Sequence, residues 1–216
     1  MGEDQRLQDP SSFLTRVYSA SGLSELAEIY DDWAHSYDKE TIEDWGRRAP
    51  DIGARILSKH VPPEAKILDA GVGTGLVGKI LQDMGYTNIV GIDISQGMLA
   101  EARAKNIYTD LHKMTLGETL DFTDNEFDAL ICIGVFTHGH AGPDAFDEIV
   151  RVVRPGGKIV FGLGTRLYGP AGFKDKQDSL VTQGKWVFME RSQPFSASPK
   201  VAPQNSMEVW VYEVTA

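Results

Sequence analysis

With 216 residues, 42% of them apolar, the chain is sized for one α/β domain with additions rather than for two separate cores. Its 31 acidic residues against 21 basic ones give a formal charge of -10, a field that repels phosphate backbones and anionic membranes, so no nucleic-acid or membrane partner is expected. The single Cys132 can form no internal disulfide, no charged-then-apolar leader opens the chain, and no apolar run approaches bilayer length, which together predict a cytoplasmic protein.

Residues 1–12 are polar, include Pro10, and are expected to form a flexible tail. From Ser24, read as an N-cap, Leu26, Ile29, Tyr30, Trp33 and Tyr37 recur at spacings of three and four and lay one apolar stripe along a helix. A second helix starts at Pro50, buries Ile52, Ile56 and Leu57, and stops at Pro62 and Pro63. Residues 13–60 therefore read as a helical lid over a main domain at 61–216.

The main domain opens with ILDAGVGTGLVG, Ile67 to Gly78, an apolar run that ends in an acid and then in glycines spaced for a tight turn before a helix. Glycines at 71, 73 and 75 permit positive φ and remove the Cβ between backbone and ligand, while the helix start supplies unpaired N–H donors, so a nucleotide-like ligand is expected there. The dinucleotide fingerprint Gly-x-Gly-x-x-Gly fails at Leu76. Asp69 stands two residues before the first glycine, where a carboxylate could reach an ammonium group. The next strand, in NIVGIDIS, closes with Asp93, near the roughly 20-residue separation at which an acid at a strand tip faces ribose hydroxyls. Asp93 could equally cap the helix at Ser95 to Lys105.

A third strand is read around Leu111 to Met114 on few apolar residues. FDALICIGVF, Phe127 to Phe136, is a continuous apolar strand of the kind buried at the centre of a parallel sheet, and Cys132 within it reads as a small hydrophobe. It exits into Thr137, His138, Gly139 and His140, at the end of the sheet where open α/β folds bind ligands. His138 and His140 are thus candidates for proton transfer; their spacing also suits a metal, but no third ligand is in sight and no metal is expected. A helix from Asp144 with Phe146, Ile149, Val150 and Val153 on one face ends at Arg154 to Gly157, and KIVFGLG forms the fifth strand. A helix near Asp175 to Thr182 precedes two strands, KWVFMER and MEVWVYEV, expected to pair antiparallel. The three-proline connection between them should extend neither, with Phe195 its one large apolar anchor.

The acid-x-Gly-x-Gly-x-Gly loop resembles motif I of the class I S-adenosylmethionine-dependent methyltransferases, and helix, Pro-Gly-Gly turn and fifth strand resemble the matching segment of that family. YDDWAHSYD, Tyr30 to Asp38, is similar to the N-terminal lid of many small-molecule methyltransferases, in which the residue matching Tyr37 closes over the cofactor. With RAP at Arg48 to Pro50 and TLGETL from Thr115, the chain looks most like the methyltransferase-like family of the Williams-Beuren syndrome chromosomal region. The resemblance implies an α/β Rossmann-like fold: a mostly parallel seven-stranded sheet, helices on both faces, and an antiparallel C-terminal strand pair. It implies S-adenosylmethionine as cofactor, with Asp69, Ala70, Gly71, Gly73 and Gly75 on the loop side. Asp93, Ile94 and Met98 follow at the second strand, Ile133 and Gly134 at the fourth, and Tyr37 on the lid. Where relatives carry an acid for the adenine amino group this chain has Thr115, with Leu116 beside it.

The expected activity is methyl transfer to a small-molecule acceptor at oxygen or nitrogen, driven by proximity, with His138 or His140 as base if a hydroxyl must lose its proton. GVFTHG stands where methyltransferases of planar exocyclic nitrogens carry an Asn-Pro-Pro-Tyr type signature, which argues against DNA bases. A cofactor-binding protein without methyl transfer, and a NAD-dependent oxidoreductase, share parts of the pattern and stay open.

Overall fold

The computed structural model describes residues 12–137 and 139–215, so all but the last residue of the tail expected at 1–12 lies outside the described residues. Ser12 itself is ordered differently from that expectation: its hydroxyl accepts from the Thr15 amide and caps a short helix, α1 (Phe13–Ser19). Periodicity alone does not reveal α1, since Val17 is its one buried residue.

Five strands run parallel: β1 (Ile67–Ala70), β2 (Ile89–Asp93), β3 (Asp110–Lys113), β4 (Phe127–Phe136) and β5 (Val153–Gly164). Then β8 (Ser206–Val214) lies antiparallel between β5 and β6 (Trp186–Arg191), giving the order β3-β2-β1-β4-β5-β8-β6. The expected seven strands become eight among the described residues, because β7 (Phe195–Ser196) pairs with the start of β8. That corrects the reading of the proline-containing connection: its prolines flank the two paired residues, so no ladder N–H is lost there. The fifth strand also begins earlier than expected, Val153 pairing with Phe127 before the register shifts, so Arg154 to Gly157 is a bulge within β5 rather than a plain turn.

The central strands β1, β2, β4, β5 and β8 bury both faces because helices cover both, whereas the edge strands β3 and β6 stay largely exposed. On one side α6 (Ala145–Val152) and α7 (Phe173–Thr182) pack Phe146, Ile149 and Phe173 with Leu68, Phe161 and the Trp210–Tyr212–Val214 face of β8. On the other, α3 (Ala49–Ser58) and α4 (Leu76–Asp83) pack Ala54, Leu57 and Leu81 with Ile67, Ile131 and the Met207–Val209–Val211 face. The two-residue alternation of β8 is thus divided between two cores, the aliphatic set in one and the aromatic set in the other.

The stripe of Leu26, Ile29, Tyr30, Trp33 and Tyr37 lies on α2 (Leu23–Asp38), which starts before Ser24, with Gly22 at the N-cap, and continues into a π-helical turn (Lys39–Asp44). Two acids fasten this helix to the sheet domain. Asp31 accepts from the Ser95 hydroxyl at 2.5 Å and the Gly97 amide at 2.7 Å, at the start of α5 (Gln96–Ala104). Asp38 accepts from Thr74 of the glycine loop and from Lys105 Nζ at 2.8 Å. A Cβ on Gly97 would fall 2.9 Å from the backbone of Asp31, so glycine sets how closely α2 and α5 approach. No helix among the described residues is long and apolar enough to cross a membrane.

Candidate functional site

The sheet order reverses between β1 and β4, so the loops leaving their C-terminal ends diverge and open a cleft. After Ala70 the chain turns at Gly71 (φ +85°) and Gly73 (φ +53°), and Gly75 (φ +91°) starts α4. These glycines differ in role. A Cβ on Gly71 would strike Val135 Cγ2 at 2.2 Å, whereas one on Gly73 meets nothing within 4 Å. The Gly73 position is therefore an open cradle beside the cleft that any side chain would fill.

Asp93, at the tip of β2, organises this loop. Its Oδ2 accepts from the Gly73 amide at 2.8 Å and its Oδ1 from the Ser95 amide at 2.9 Å. Burial pushes the carboxyl up to about 6 despite those backbone donors, so it is largely ionised at neutral pH. Ser95, not Asp93, is the N-cap of α5, its hydroxyl accepting from the Met98 amide.

The cleft, about 700 Å³ with its open mouth included, is lined by Gly71, Gly73, Asp93, Ile94 and Met98 on one flank. Thr115, Leu116, Ile133, Gly134, His140 and, from the lid, Tyr30 and Tyr37 also line it. Asp69, Ala70 and Gly75 do not line it. Asp69 is 1% exposed and points beneath the loop, where the Tyr108 hydroxyl donates to Oδ2 at 2.8 Å while Oδ1 has no hydrogen-bond partner. Burial pushes its carboxyl up to about 7. His138 lies outside the described residues.

Two participants were not read from the sequence. Arg47 lines the cleft, donates to the Tyr37 hydroxyl, and lies against Gly134, whose Cβ would be 2.1 Å from Nη2. Tyr108 lies against Gly75, Gly78 and Gly91, and any Cβ on Gly78 would meet its hydroxyl at 2.3 Å. The signal in both cases was a glycine inside a regular element, Gly134 in β4, Gly78 in α4 and Gly91 in β2, where glycine is costly unless something approaches closely.

His140 joins lid to sheet. Its Nε2 is 2.8 Å from the Tyr30 hydroxyl and its Nδ1 3.0 Å from Thr137 Oγ1, so both ring nitrogens are engaged. Burial raises the Tyr30 phenol well above its ordinary range, which keeps that oxygen protonated. Tyr30, Tyr37, Arg47, Gly134 and His140 also line a second cavity between the lid and the ends of β4 and β5. Among the described residues no cluster suited to a metal ion occurs.

Residues 68–161 match the methyltransferase domain family, spanning β1 through most of β5. The chain is 36% identical over 151 residues to methyltransferase-like protein 27 of Homo sapiens, 67% of this chain and 61% of that one. It is 30% identical over 160 residues to the demethylmenaquinone methyltransferase of Symbiobacterium thermophilum, 71% of this chain and 61% of that one. The chain thus spans about three fifths of the length of these curated relatives. Among solved structures, the [4+2]-cyclase SpnF superposes with a TM-score of 0.71 at 14% identity, covering 91% of this chain and 97% of that one. That likeness shows the fold alone, and a fold shared with a cyclase does not dictate the reaction. Residues 68–161 thus carry a methyltransferase domain, and the glycine loop, strand-tip acid and sheet order around it support a class I S-adenosylmethionine-dependent methyltransferase.

Proposed function

We propose that the protein transfers a methyl group from S-adenosylmethionine to oxygen or nitrogen of a small-molecule acceptor. The observation that carries this reading is the pair of cavities sharing one wall, a cleft at the glycine loop and a second chamber beyond Tyr30, Tyr37, Arg47 and His140. The cleft fits the cofactor: Gly73 leaves a cradle for it, Asp93 offers an ionised acceptor to ribose hydroxyls, and Ile94, Met98, Thr115 and Leu116 form an apolar slot for a flat base. When bound, the cofactor supplies a methyl group already activated by its sulfonium.

The protein then needs chiefly to hold an acceptor in line and exclude water, and α2 closing both cavities serves that end. For a hydroxyl acceptor, the 2.8 Å contact between Tyr30 Oη and His140 Nε2 supports His140 as a base acting through Tyr30. The proton leaves the acceptor for Tyr30 Oη as the tyrosine proton moves to His140 Nε2, with Nδ1 held by Thr137. A neutral amine would need no such relay. Residues 13–60 act in this reading as a lid, with Tyr37 above the cofactor.

Release of S-adenosylhomocysteine tests the reading. Protein and S-adenosylmethionine are incubated with the small-molecule, protein or nucleic-acid fraction of a cell extract. Stimulation by the small-molecule fraction alone is expected; stimulation only by a macromolecular fraction, or by none, would overturn it.

A further inference from the structure

The second cavity differs in charge from the rest of the molecule. Although the chain carries a formal charge of -10, none of the described residues lining this cavity is acidic, and two are arginines, Arg47 and Arg166. Neither arginine makes an ion pair among the described residues, while most other cations near the core do, Lys66 with Glu126 and Lys158 with Glu213 among them. Arg47 is partly buried and hydrogen-bonded to the Tyr37 hydroxyl, and Arg166 is exposed, in the loop leaving β5. A guanidinium turned toward a partly enclosed space without a carboxylate favours an anion there, because the anion offsets the unmatched charge. Thr137, Ser198, Asn205 and Ser206 add neutral polar groups to the wall, and its apolar part includes Val17, Trp33, Trp45, Ala202 and Met207, each at most 8% exposed.

We propose that the second cavity binds a small organic anion with an apolar body, its anionic group read by Arg166 at the rim and its body lying on Trp33, Trp45 and Met207. Resting on the methyl-transfer reading, this makes the acceptor class anionic amphiphiles, such as aryl or alkyl carboxylates that carry a nucleophilic hydroxyl at the end far from the carboxylate, rather than amines. The preference follows from placement: the cation stands at the outer end and the apolar surface inside, so the anionic group stays toward solvent while the distal end of the molecule approaches Tyr30 and His140. Arg47, on the wall common to both cavities, adds positive potential without being the discriminating contact.

The test is calorimetric and needs no turnover. Full-length protein saturated with S-adenosylhomocysteine is titrated with hexanoate and 3-phenylpropionate, their primary amides, and 3-phenylpropylamine. The carboxylates should bind about 10-fold more tightly than the amides, with the amine weakest, as expected for one charge-assisted contact partly exposed to water. Arg166→Gln should bring carboxylate and amide to the same affinity while leaving the amide unchanged, and Arg166→Lys should restore part of the difference. Because Arg166 is exposed, these variants are expected to fold. Equal binding of amine and carboxylate, no binding by any probe, or an undiminished preference in Arg166→Gln would overturn the proposal. Carboxylate preference without S-adenosylhomocysteine release in the extract assay would leave this inference standing and remove the methyl-transfer reading instead.

Discussion

Replacing Asp93 by alanine removes the group on which, in the proposed reading, loop and cofactor meet. In the free protein the carboxylate accepts two backbone amides, Gly73 at 2.8 Å and Ser95 at 2.9 Å, and alanine leaves both donors unpaired beside the cleft. It also removes the acceptor proposed for two ribose hydroxyls. A hydrogen bond to a charged group contributes about 1.5–3 kcal/mol, so loss of one such net contribution predicts S-adenosylmethionine affinity lower by roughly 10- to 150-fold. Thermal stability should fall by a few degrees through the freed loop amides, about 2–4 °C per kcal/mol for a chain this long. Calorimetry with S-adenosylhomocysteine gives the affinity, and circular dichroism checks that the variant folds. The pH profile supplies a sharper readout. Hydroxyl donors favour the ionised carboxyl, and burial raises that carboxyl to about 6, so wild-type affinity should rise with pH up to about 6 and level above it. Asp93→Ala should lose that slope. A folded variant with wild-type affinity and the same pH profile would refute the assignment.

Further substitutions separate the remaining roles. Gly73→Val should abolish cofactor binding in a folded protein, since its Cβ meets no protein atom, whereas Gly71→Ala should damage the fold by driving into Val135; intact binding in Gly73→Val, measured by calorimetry, would mean the loop faces elsewhere. Gly97→Ala should push α2 off α5 at a cost of about 1–3 kcal/mol and speed amide exchange at Tyr30 to Tyr37, while cofactor should slow it; unchanged exchange in both experiments would count against a lid. Tyr30→Phe and His140→Ala should each lower turnover on a hydroxyl acceptor by about two to four orders of magnitude with little change in cofactor affinity, and full rate in either would end the relay. Burial holds folded Asp69 near 7, above its unfolded value near 4, so the folded state binds more protons in that window and stability falls as pH rises through it. Asp69→Asn should flatten that fall in thermal melts and leave cofactor affinity unchanged; a steep loss of affinity would make Asp69 a cofactor contact.

What could be read without coordinates followed burial. β1, β2 and β4 were legible because strands covered on both faces are continuous apolar runs, and Ile67–Ala70 and Phe127–Phe136 fall where the pattern puts them. By contrast, β3 is Asp110–Lys113, exposed at both ends and only partly buried at its two central residues, and a strand at a sheet edge leaves little hydrophobic signature. Residues around the cleft were legible where backbone chemistry demanded them, as at Gly71, Gly73 and Asp93. Side-chain direction was not. Asp69 shares the face of Ile67 and so turns to Tyr108, a contact 39 positions away that no local pattern encodes. Likewise Arg47 reaches Gly134 only because α2 folds back over the sheet.

The central claim, methyl transfer to a small acceptor, is tested most directly by the mass of the product. Protein is incubated with a small-molecule extract and S-adenosylmethionine carrying an isotopically labelled methyl group, and every species is compared with a control lacking protein. The account predicts a new small molecule heavier by one labelled methyl, formed in step with S-adenosylhomocysteine. Consumption of an extract component into an unlabelled product, with the cofactor recovered intact, would contradict it and make the protein a catalyst that uses its cofactor without spending it.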